Sequence, residues 1–269
     1  MKRIERLPQD WPPPATRGVA PRAAVLVMPL VVLGVGWLAW EAVARLSRLP
    51  AFILPPPELV WQRALRAFQD GSLLRHAGVT LYEVLLGLGL GAFFAFLFGY
   101  PLAKSVAAER FLVPYIVASQ AIPSVAIAPL LIIWLGPGMS SKILISALIV
   151  FFPVLVNTVV GLRSVEANLR ELMRSLKATR WQTFRHLEAP AAMPVLLGGL
   201  KVGATLSVIG AVVGEFVGSD RGLGFLINLG RQQYDTALVF VGIFSLIVMA
   251  LALYGAVAWA ERMSLSWRA

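Results

Sequence analysis

Six long apolar segments constrain this chain more than any other feature of its sequence. They lie at about 23–45, 79–103, 111–135, 142–162, 192–217 and 237–260. A helix needs about 20 apolar residues to cross the hydrocarbon of a bilayer, and each segment reaches that length. The chain is 58% hydrophobic and only 14% charged, which is too apolar for a soluble domain. The pattern predicts an all-α integral membrane protein with about six transmembrane helices.

The distribution of Lys and Arg predicts the orientation in the membrane. If the N-terminus is cytoplasmic, the segments 1–22, 104–110, 163–190 and 261–269 hold 15 of these residues, and the external segments hold eight, including Lys142. Lys and Arg are enriched in cytoplasmic loops. We therefore expect a multi-pass protein of the inner or plasma membrane with both termini in the cytoplasm. Because the basic residues lie between apolar spans, the net charge of +10 does not indicate nucleic-acid binding.

Three regions are expected along the chain. Residues 1–22 form a polar, Pro-rich tail that we expect to be disordered in the cytoplasm. Residues 23–78 hold the first transmembrane helix and an external amphipathic segment, with a helix at about 57–70. Residues 79–262 form the membrane core, which carries the cytoplasmic loop 163–190.

The motifs of several common enzyme classes are missing from the sequence. It has no G-x-x-x-x-G-K-[ST] loop to cradle ATP phosphates, no H-E-x-x-H and no G-x-S-x-G, so we expect no catalytic site. His76 and His186 lack ligand partners at helical spacing, so we expect no metal site either. Few ionisable residues lie within the spans, and Glu83, Lys201 and Glu215 are among them. No chain of carboxylates for a proton relay is evident, which disfavours a proton-driven secondary carrier.

Some side chains within the spans are candidates for contact with a passing solute. An aromatic solute would stack on aromatic rings and bond to amides, and packing between helices explains the same residues equally well. These pathway candidates are Gln120, Trp134, Phe151, Asn157 and Glu215. The third segment also contains Pro114, Pro123 and Pro129, which indicate a broken helix that faces the protein interior.

The fifth segment carries two rows of small residues that allow another helix to approach closely. One row is Gly210, Gly214 and Gly218, and the other is Gly199, Gly203, Ser207 and Ala211. The neighbouring helix lies either in this chain or in a second copy of it.

Residues 163–190 form a basic island between two apolar spans and predict two short helices. The first, at about 165–176, has an apolar stripe of Val165, Leu169, Leu172 and Leu176. The second, at about 180–188, begins with a Thr179–Gln182 capping box and ends at Pro190. Its apolar patch is Trp181, Phe184 and Leu187. This patch is interpreted as a knob for a groove on another protein, and the alternative is a patch that lies on the membrane surface.

The island carries a specific resemblance to a known family. The stretches ELM, LKATRWQTF and APAAMP resemble the EAA loop of ABC importer permeases. The chain from Pro55 to about Glu261 is similar to binding-protein-dependent permeases of the nitrate, sulfonate and taurine type, through AIPSVAIAPLLIIWLGPG, FFPVLVNTVVGLRSV and IGAVVGEFVGSDRGLGFLI. The resemblance implies a type I, MetI-like permease fold. It implies contact with an ATPase by Glu171, Lys177, Ala178, Thr179, Trp181, Phe184, Leu187 and Pro190.

Two positions depart from the family pattern. Leu172 and Met173 replace a small pair, and Lys177 replaces the glycine that allows the turn between the two helices. Lysine in a left-handed turn costs on the order of 1 kcal/mol. Either the turn has another geometry in this chain or the strain is tolerated.

The resemblance also implies partners and a role. A cytoplasmic ABC ATPase dimer would bind ATP and Mg²⁺, so no cofactor is expected in this chain. An extracytoplasmic protein would deliver the solute, and a second permease subunit, expected to be a second copy, would complete the pathway. The stretches QAIPSVAIAPLLIIWLG and GEFVGSD are most similar to permeases for vitamin-related heterocycles, such as riboflavin or a thiamine pyrimidine precursor. Sulfonate, taurine or nitrate is the alternative solute, and a secondary transporter or a membrane anchoring protein is the alternative class.

Overall fold

The computed structural model describes residues 22–47, 49–105 and 123–265, together with 107, 110, 111, 114, 115 and 118. Every regular element in this described part is helical. The elements are α1 (Arg22–Leu46), α2 (Pro57–Gln69), α3 (Ser72–Lys104), α4 (Ser124–Leu135), α5 (Met139–Arg163), α6 (Ala167–Ser175), α7 (Arg180–Thr183), a π-helical segment (Phe184–Glu188), α8 (Ala189–Val217), α9 (Leu223–Gln232) and α10 (Thr236–Ser264). The all-α prediction is confirmed.

Four helices of the described residues are long and apolar enough to cross a membrane. They are α3, α5, the continuous helix Arg180–Val217 and α10. Each coincides with a predicted span. In the third predicted span, at 111–135, the structure describes a shorter apolar helix, α4, which contains Pro129 and ends before Gly136. The first half of that range, with Gln120, lies largely outside the described residues.

The chain divides into two units after Leu49. In the first unit, α1 covers the first predicted span, and its apolar side chains from Val27 onward are mostly exposed. An ion pair joins Glu41 to Arg45 one turn later. Residues 1–21 of the predicted tail lie outside the described residues. The division of the chain into the three predicted regions, at 22/23 and 78/79, stays a prediction.

Helix α5 is the centre of the second unit, because glycines of α3 and α8 let both helices approach it closely. A Cβ on Gly210 of α8 would lie 2.5 Å from the Ser146 Cα, and one on Gly199 would lie 2.5 Å from the Asn157 Cβ. Gly203 and Gly214 face α5 in the same way. The small-residue rows of α8 therefore pack mainly on α5. Of the two neighbours that the sequence allowed, the structure shows a helix of the same chain.

Helix α3 packs on α5 beside α8, and Ser146 and Val150 of α5 meet glycines of both helices. A Cβ on Gly87 would lie 2.3 Å from the Ser146 Oγ, and one on Gly91 would lie 2.6 Å from the Ala147 carbonyl oxygen. Between these helices lies a cluster of buried apolar side chains, namely Ala92, Ala95, Leu102, Val150, Val154 and Leu155. These close contacts enclose polar side chains of α5 as well as apolar ones.

Two sequence predictions are wrong. Pro190 does not stop a helix, because the helix runs without a break from Arg180 to Val217. The π-helical segment just before Pro190 widens the backbone, and the Ala189 N–H donates to the Phe184 carbonyl five residues back. This wider turn makes room for a proline ring that would clash with an α-helical carbonyl. Lys142 is not in an external loop either, since it lies in the first turn of α5 and is 3% exposed.

Candidate functional site

The basic segment, residues 163–190, keeps a left-handed turn between its two helices even though the turn residue is lysine. Lys177 has a φ of 52°. Its N–H donates to the Arg174 carbonyl at 2.9 Å, and the Ala178 N–H donates to the Met173 carbonyl at 3.0 Å. This pair of bonds is a Schellman motif, whose left-handed position favours glycine. Of the two alternatives left by the sequence, the structure has the strained turn.

The second helix of the basic segment begins at the predicted capping box. The Gln182 N–H donates to the Thr179 Oγ1 at 3.2 Å, and the Thr179 N–H donates to the Gln182 Oε1 at 2.8 Å. Each side chain thus satisfies a backbone donor that the first helical turn leaves without a partner. The prediction of this helix start is confirmed.

The predicted patch of Trp181, Phe184 and Leu187 does not face outward as one surface. Trp181 is 65% exposed, whereas Phe184 and Leu187 are half-buried. The Phe184 ring stacks on Trp181, with centroids 5.6 Å apart, and meets the Tyr100 ring of α3 edge-on at 5.3 Å. Phe184 therefore links the basic segment to the membrane core.

Most of the predicted apolar stripe on α6 is open to solvent. Leu169, Leu172 and Leu176 are exposed, and Val165 is buried at the base of the segment. We call Leu169, Leu172, Leu176 and Trp181 the exposed apolar strip. Of the other residues predicted to contact an ATPase, Glu171, Lys177 and Thr179 are exposed, and Ala178 and Pro190 are half-buried.

A buried carboxylate that sequence reasoning missed fixes the basic segment to the core. Glu188 is 1% exposed and forms ion pairs with Lys104, at the end of α3, and with Arg170 of α6. The Arg170 guanidinium also donates to the Leu162 carbonyl at 2.6 Å, at the end of α5. A signal for Glu188 was present in the sequence, because it is the acidic residue closest to the start of an apolar span in a strongly basic segment.

Two adjacent cavities flank this anchor. The first, the apolar groove, has a volume of about 750 Å³ and is lined by side chains of α3, α5, α7 and α8 that include Phe96, Tyr100, Arg180, Leu196 and Leu197. The second, the basic cavity, has a volume of about 650 Å³ and is lined by residues that include Tyr100, Lys104, Arg170, Arg174, Arg180 and Glu188. Tyr100 and Arg180 belong to both linings, so the two cavities are neighbours.

At the opposite end of α5, three charged groups are buried together. Glu83 of α3, Lys142 of α5 and Glu215 of α8 are at most 3% exposed. The Lys142 Nζ lies 3.8 Å from the Glu83 Oε1 and donates to the Pro137 carbonyl at 3.2 Å. The Glu83 carboxyl lies beside that of Glu215. The sequence shows these charges only as scattered residues, but opposite charges within spans are expected to pair, which was the available signal.

Hydrogen bonds extend this buried charge cluster to α9. The Thr80 hydroxyl donates to the Glu215 Oε1 at 2.6 Å and accepts from the Leu223 N–H at 2.7 Å, while the Gly224 N–H donates to the Glu215 Oε2. Glu215 thus satisfies a donor at the start of α9, where a negative charge also matches the helix dipole. Gly222, at φ 105°, passes so close that a Cβ there would lie 2.1 Å from the Glu215 Oε1.

The five pathway candidates lie in different surroundings. Trp134 is exposed near the end of α4, and Gln120 is outside the described residues. Phe151 is half-buried against Phe98 and Phe152, and the Asn157 amide donates to the Pro153 carbonyl at 2.8 Å. Glu215 is enclosed in the buried charge cluster. The apolar groove and the basic cavity are lined by other residues.

These features define a class of protein. Of the four long apolar helices, α3 and α8 pack on α5, α10 packs on α8, and the basic segment lies at one end of α5. Among the described residues, no group of three His, Asp or Glu side chains is arranged to hold a metal ion. The arrangement is that of a polytopic membrane protein.

The family follows from comparison with known proteins. Residues 87–263 match the model of the family described as binding-protein-dependent transport system inner membrane component, and the chain belongs to that family. It is 46% identical over 230 residues to the riboflavin transport system permease protein RibX of Chloroflexus aurantiacus, across 86% of each chain. It is 34% identical to the formylaminopyrimidine transport permease protein ThiX of Halalkalibacterium halodurans, across 85% of this chain and 91% of that one.

A solved structure agrees with the fold. The chain matches the MetNI methionine ABC transporter in an inward-facing conformation with a TM-score of 0.62, at 19% identity, over 73% of this chain and 97% of that one. The MetI-like fold expected from the sequence is thereby confirmed. The protein is the multi-pass inner-membrane permease subunit of an ABC importer, and this class replaces the secondary carrier and the anchoring protein that the sequence left as alternatives.

Proposed function

We propose that this permease transports riboflavin or a closely related vitamin heterocycle. The supporting observation is the 46% identity to a riboflavin permease, which extends over 86% of both chains. The relative for formylaminopyrimidine, at 34%, names the second candidate solute. A permease for aliphatic sulfonates from Bacillus subtilis is 33% identical, so sulfonates form a third candidate class.

For the solute pathway we retain Phe151 and Asn157 on α5, with Trp134 on α4 and Gln120 before it. The Phe151 ring centroid lies 6.2 Å from that of Phe98 and 5.0 Å from that of Phe152, and aromatic faces suit a flat heterocycle. Glu215 is left out of the pathway, because it is 1% exposed and its carboxylate already accepts two hydrogen bonds.

The partners follow from the same importer architecture. ATP and Mg²⁺ would be held by a separate cytoplasmic ATPase dimer, and an extracytoplasmic binding protein would present the solute. Two copies of this chain would enclose the pathway. The excess of Lys and Arg in the segments 1–22, 104–110, 163–190 and 261–269 supports a cytoplasmic location for both termini and for the basic segment.

The basic segment is the proposed docking site for the ATPase. Its exposed apolar strip lies on a short helix pair with fixed ends, and an exposed stripe of this kind suits a groove on another protein. Glu188 would transmit motion, because it ties α6 and the start of α8 to the end of α3. Glu171 and Thr179 are exposed beside the strip and would add polar contacts at its edge.

Uptake into proteoliposomes tests the solute. The permease is reconstituted with the ATPase and the binding protein encoded with it, and radiolabelled riboflavin is offered with ATP inside. We expect ATP-dependent uptake that excess riboflavin inhibits and excess taurine does not. Uptake of taurine with no uptake of riboflavin would contradict the vitamin assignment, while uptake of either one that requires ATP would still support the importer.

Co-purification tests the docking site. Leu176→Asp and Trp181→Ala remove apolar surface from the exposed strip, so we expect each to abolish or strongly reduce recovery of the ATPase with the tagged permease. Trp259→Ala is the matched control, since Trp259 is equally exposed, at 66%, on α10. Undiminished recovery with both strip variants would contradict the proposed docking site. Two differently tagged copies of the chain, purified in sequence, test the homodimer.

A further inference from the structure

We propose that the basic cavity and the apolar groove together bind one anionic phospholipid. The phosphate would lie in the basic cavity, and an acyl chain would lie in the apolar groove. The juxtaposition of these two cavities, which share Tyr100 and Arg180, is the observation on which this proposal depends.

The charge of the basic cavity favours an anion. Four cationic side chains line it, Lys104, Arg170, Arg174 and Arg180, against one carboxylate, Glu188. Glu188 pairs with Lys104 and Arg170. In the part of the chain that the structure describes, Arg174 and Arg180 form no ion pair with an acidic side chain. A guanidinium presents parallel N–H donors that match the oxygens of a phosphate.

The apolar groove distinguishes a lipid from a free anion. Its walls consist mainly of apolar side chains, such as Phe96, Met193, Leu196, Leu197 and Leu200. It runs from the basic cavity along α8, which crosses the membrane. A ligand that fills both cavities must have an anionic head and a hydrocarbon tail, and a phospholipid has both.

The position along the helices matches the depth of lipid headgroups. Tyr100 and Lys104 lie in the last turn of α3, a helix of 33 residues that crosses the bilayer. Long basic side chains at the ends of spans reach the headgroup level, and basic pockets between helices on the cytoplasmic side bind anionic headgroups. This step depends on the orientation proposed above.

Lipid binding to the purified full-length permease, without the ATPase, tests the proposal. Native mass spectrometry measures the retention of phosphatidylglycerol and of phosphatidylethanolamine with matched acyl chains. We expect phosphatidylglycerol to bind. The double variant Arg174→Gln/Arg180→Gln should weaken this binding about 30-fold, because each basic residue near an anionic lipid contributes about fivefold to the affinity. Arg174→Lys/Arg180→Lys keeps both charges and is expected to retain most of the binding.

Two further variants separate this site from general attraction. Arg185→Gln is the matched control, because Arg185 is exposed on the π-helical segment but lines neither cavity. It is expected to leave lipid binding unchanged. Leu196→Trp fills the apolar groove and is expected to weaken the binding of phosphatidylglycerol by at least about tenfold.

Four results would overturn the proposal. Equal binding of phosphatidylethanolamine would show that the negative charge of the headgroup plays no role. Equal weakening of lipid binding by Arg185→Gln would show that the lipid is attracted by the overall positive charge and not by this site. Inorganic phosphate that binds as tightly as the lipid would indicate a free-anion site. Unchanged lipid binding in Arg174→Gln/Arg180→Gln, with loss of ATPase co-purification, would assign these arginines to the protein partner instead.

Discussion

The buried charge cluster makes a sharp prediction about stability. In Lys142→Met, an apolar side chain of similar length replaces the ammonium group that faces Glu83 and Glu215. The Lys142 Nζ lies 3.8 Å from the Glu83 Oε1, and both side chains are at most 3% exposed. At an effective dielectric constant of about 20, this separation corresponds to an attraction of about 4 kcal/mol.

Removal of one partner from a buried ion pair usually costs about 3–5 kcal/mol, because the remaining charge stays buried. For a chain of this size, about 1 kcal/mol corresponds to roughly 2–4 °C in Tm. We therefore expect Lys142→Met to lower the Tm of the detergent-purified permease by about 10 °C, measured by intrinsic tryptophan fluorescence. Recovery of the variant in the membrane fraction would fall in parallel.

A double-mutant cycle identifies the cause. Glu83→Gln removes one carboxylate and supplies an amide donor that can bond to Glu215. The double variant Lys142→Met/Glu83→Gln should therefore recover at least about 2 kcal/mol relative to Lys142→Met alone. Strictly additive losses would refute the reasoning, because they would mean that the two groups do not interact.

Lys201→Met is a matched control for burial. The Lys201 Nζ lies only 2.6 Å from the Glu261 Oε2, but the two side chains are 20% and 22% exposed. A pair with access to water contributes less than about 1 kcal/mol, so we expect a change in Tm of no more than about 4 °C. A loss as large as that of Lys142→Met would show that burial is not the deciding factor.

Three further predictions concern backbone fit and the anchor of the basic segment. Gly210→Ala should lower the free energy of thermal unfolding by about 1–3 kcal/mol, because the new Cβ would lie 2.5 Å from the Ser146 Cα. Gly198→Ala is the control: its Cβ would have no atom within 4 Å, so it should be neutral or stabilise the protein by up to about 1 kcal/mol. Lys177→Gly should stabilise the turn by about 1 kcal/mol and slow hydrogen exchange at the Ala178 amide, because glycine adopts the positive φ of this position without strain. An unchanged exchange rate at this amide would mean that the lysine backbone is not strained. Glu188→Gln should accelerate exchange in α6 and leave α9 unchanged, because it weakens the ion pairs to Lys104 and Arg170.

Much of the fold could be predicted because its signals are local. Hydropathy summed over about 20 residues located α3, α5, α8 and α10 to within several residues, since each helix satisfies its own backbone hydrogen bonds in the membrane. The Thr179–Gln182 capping box was equally predictable, because its donors and acceptors lie within four residues. The family resemblance added the class of protein through the order of its motifs.

Other features could not be predicted, because they depend on contacts between distant parts of the chain. Lys142 follows two serines and resembles a loop residue in the sequence, yet helix packing places it against Glu83, 59 positions earlier. Pro190 is normally a sign of helix termination, and only the π-helical segment before it allows the helix to continue. The patch around Phe184 was predicted from helical periodicity, which does not show that Tyr100 covers one of its faces.

The sequence by itself determined that this chain crosses a membrane, that a basic helical segment interrupts its spans, and to which family it belongs. These properties follow from local composition and from the order of motifs. The tertiary structure decided which buried charges meet, which helix fills the glycine rows of α8, and how Glu188 fixes the basic segment to α3. The physical reason is that burial and pairing arise from the packing of α3 and α8 on α5, and no local pattern specifies which groups that packing brings together.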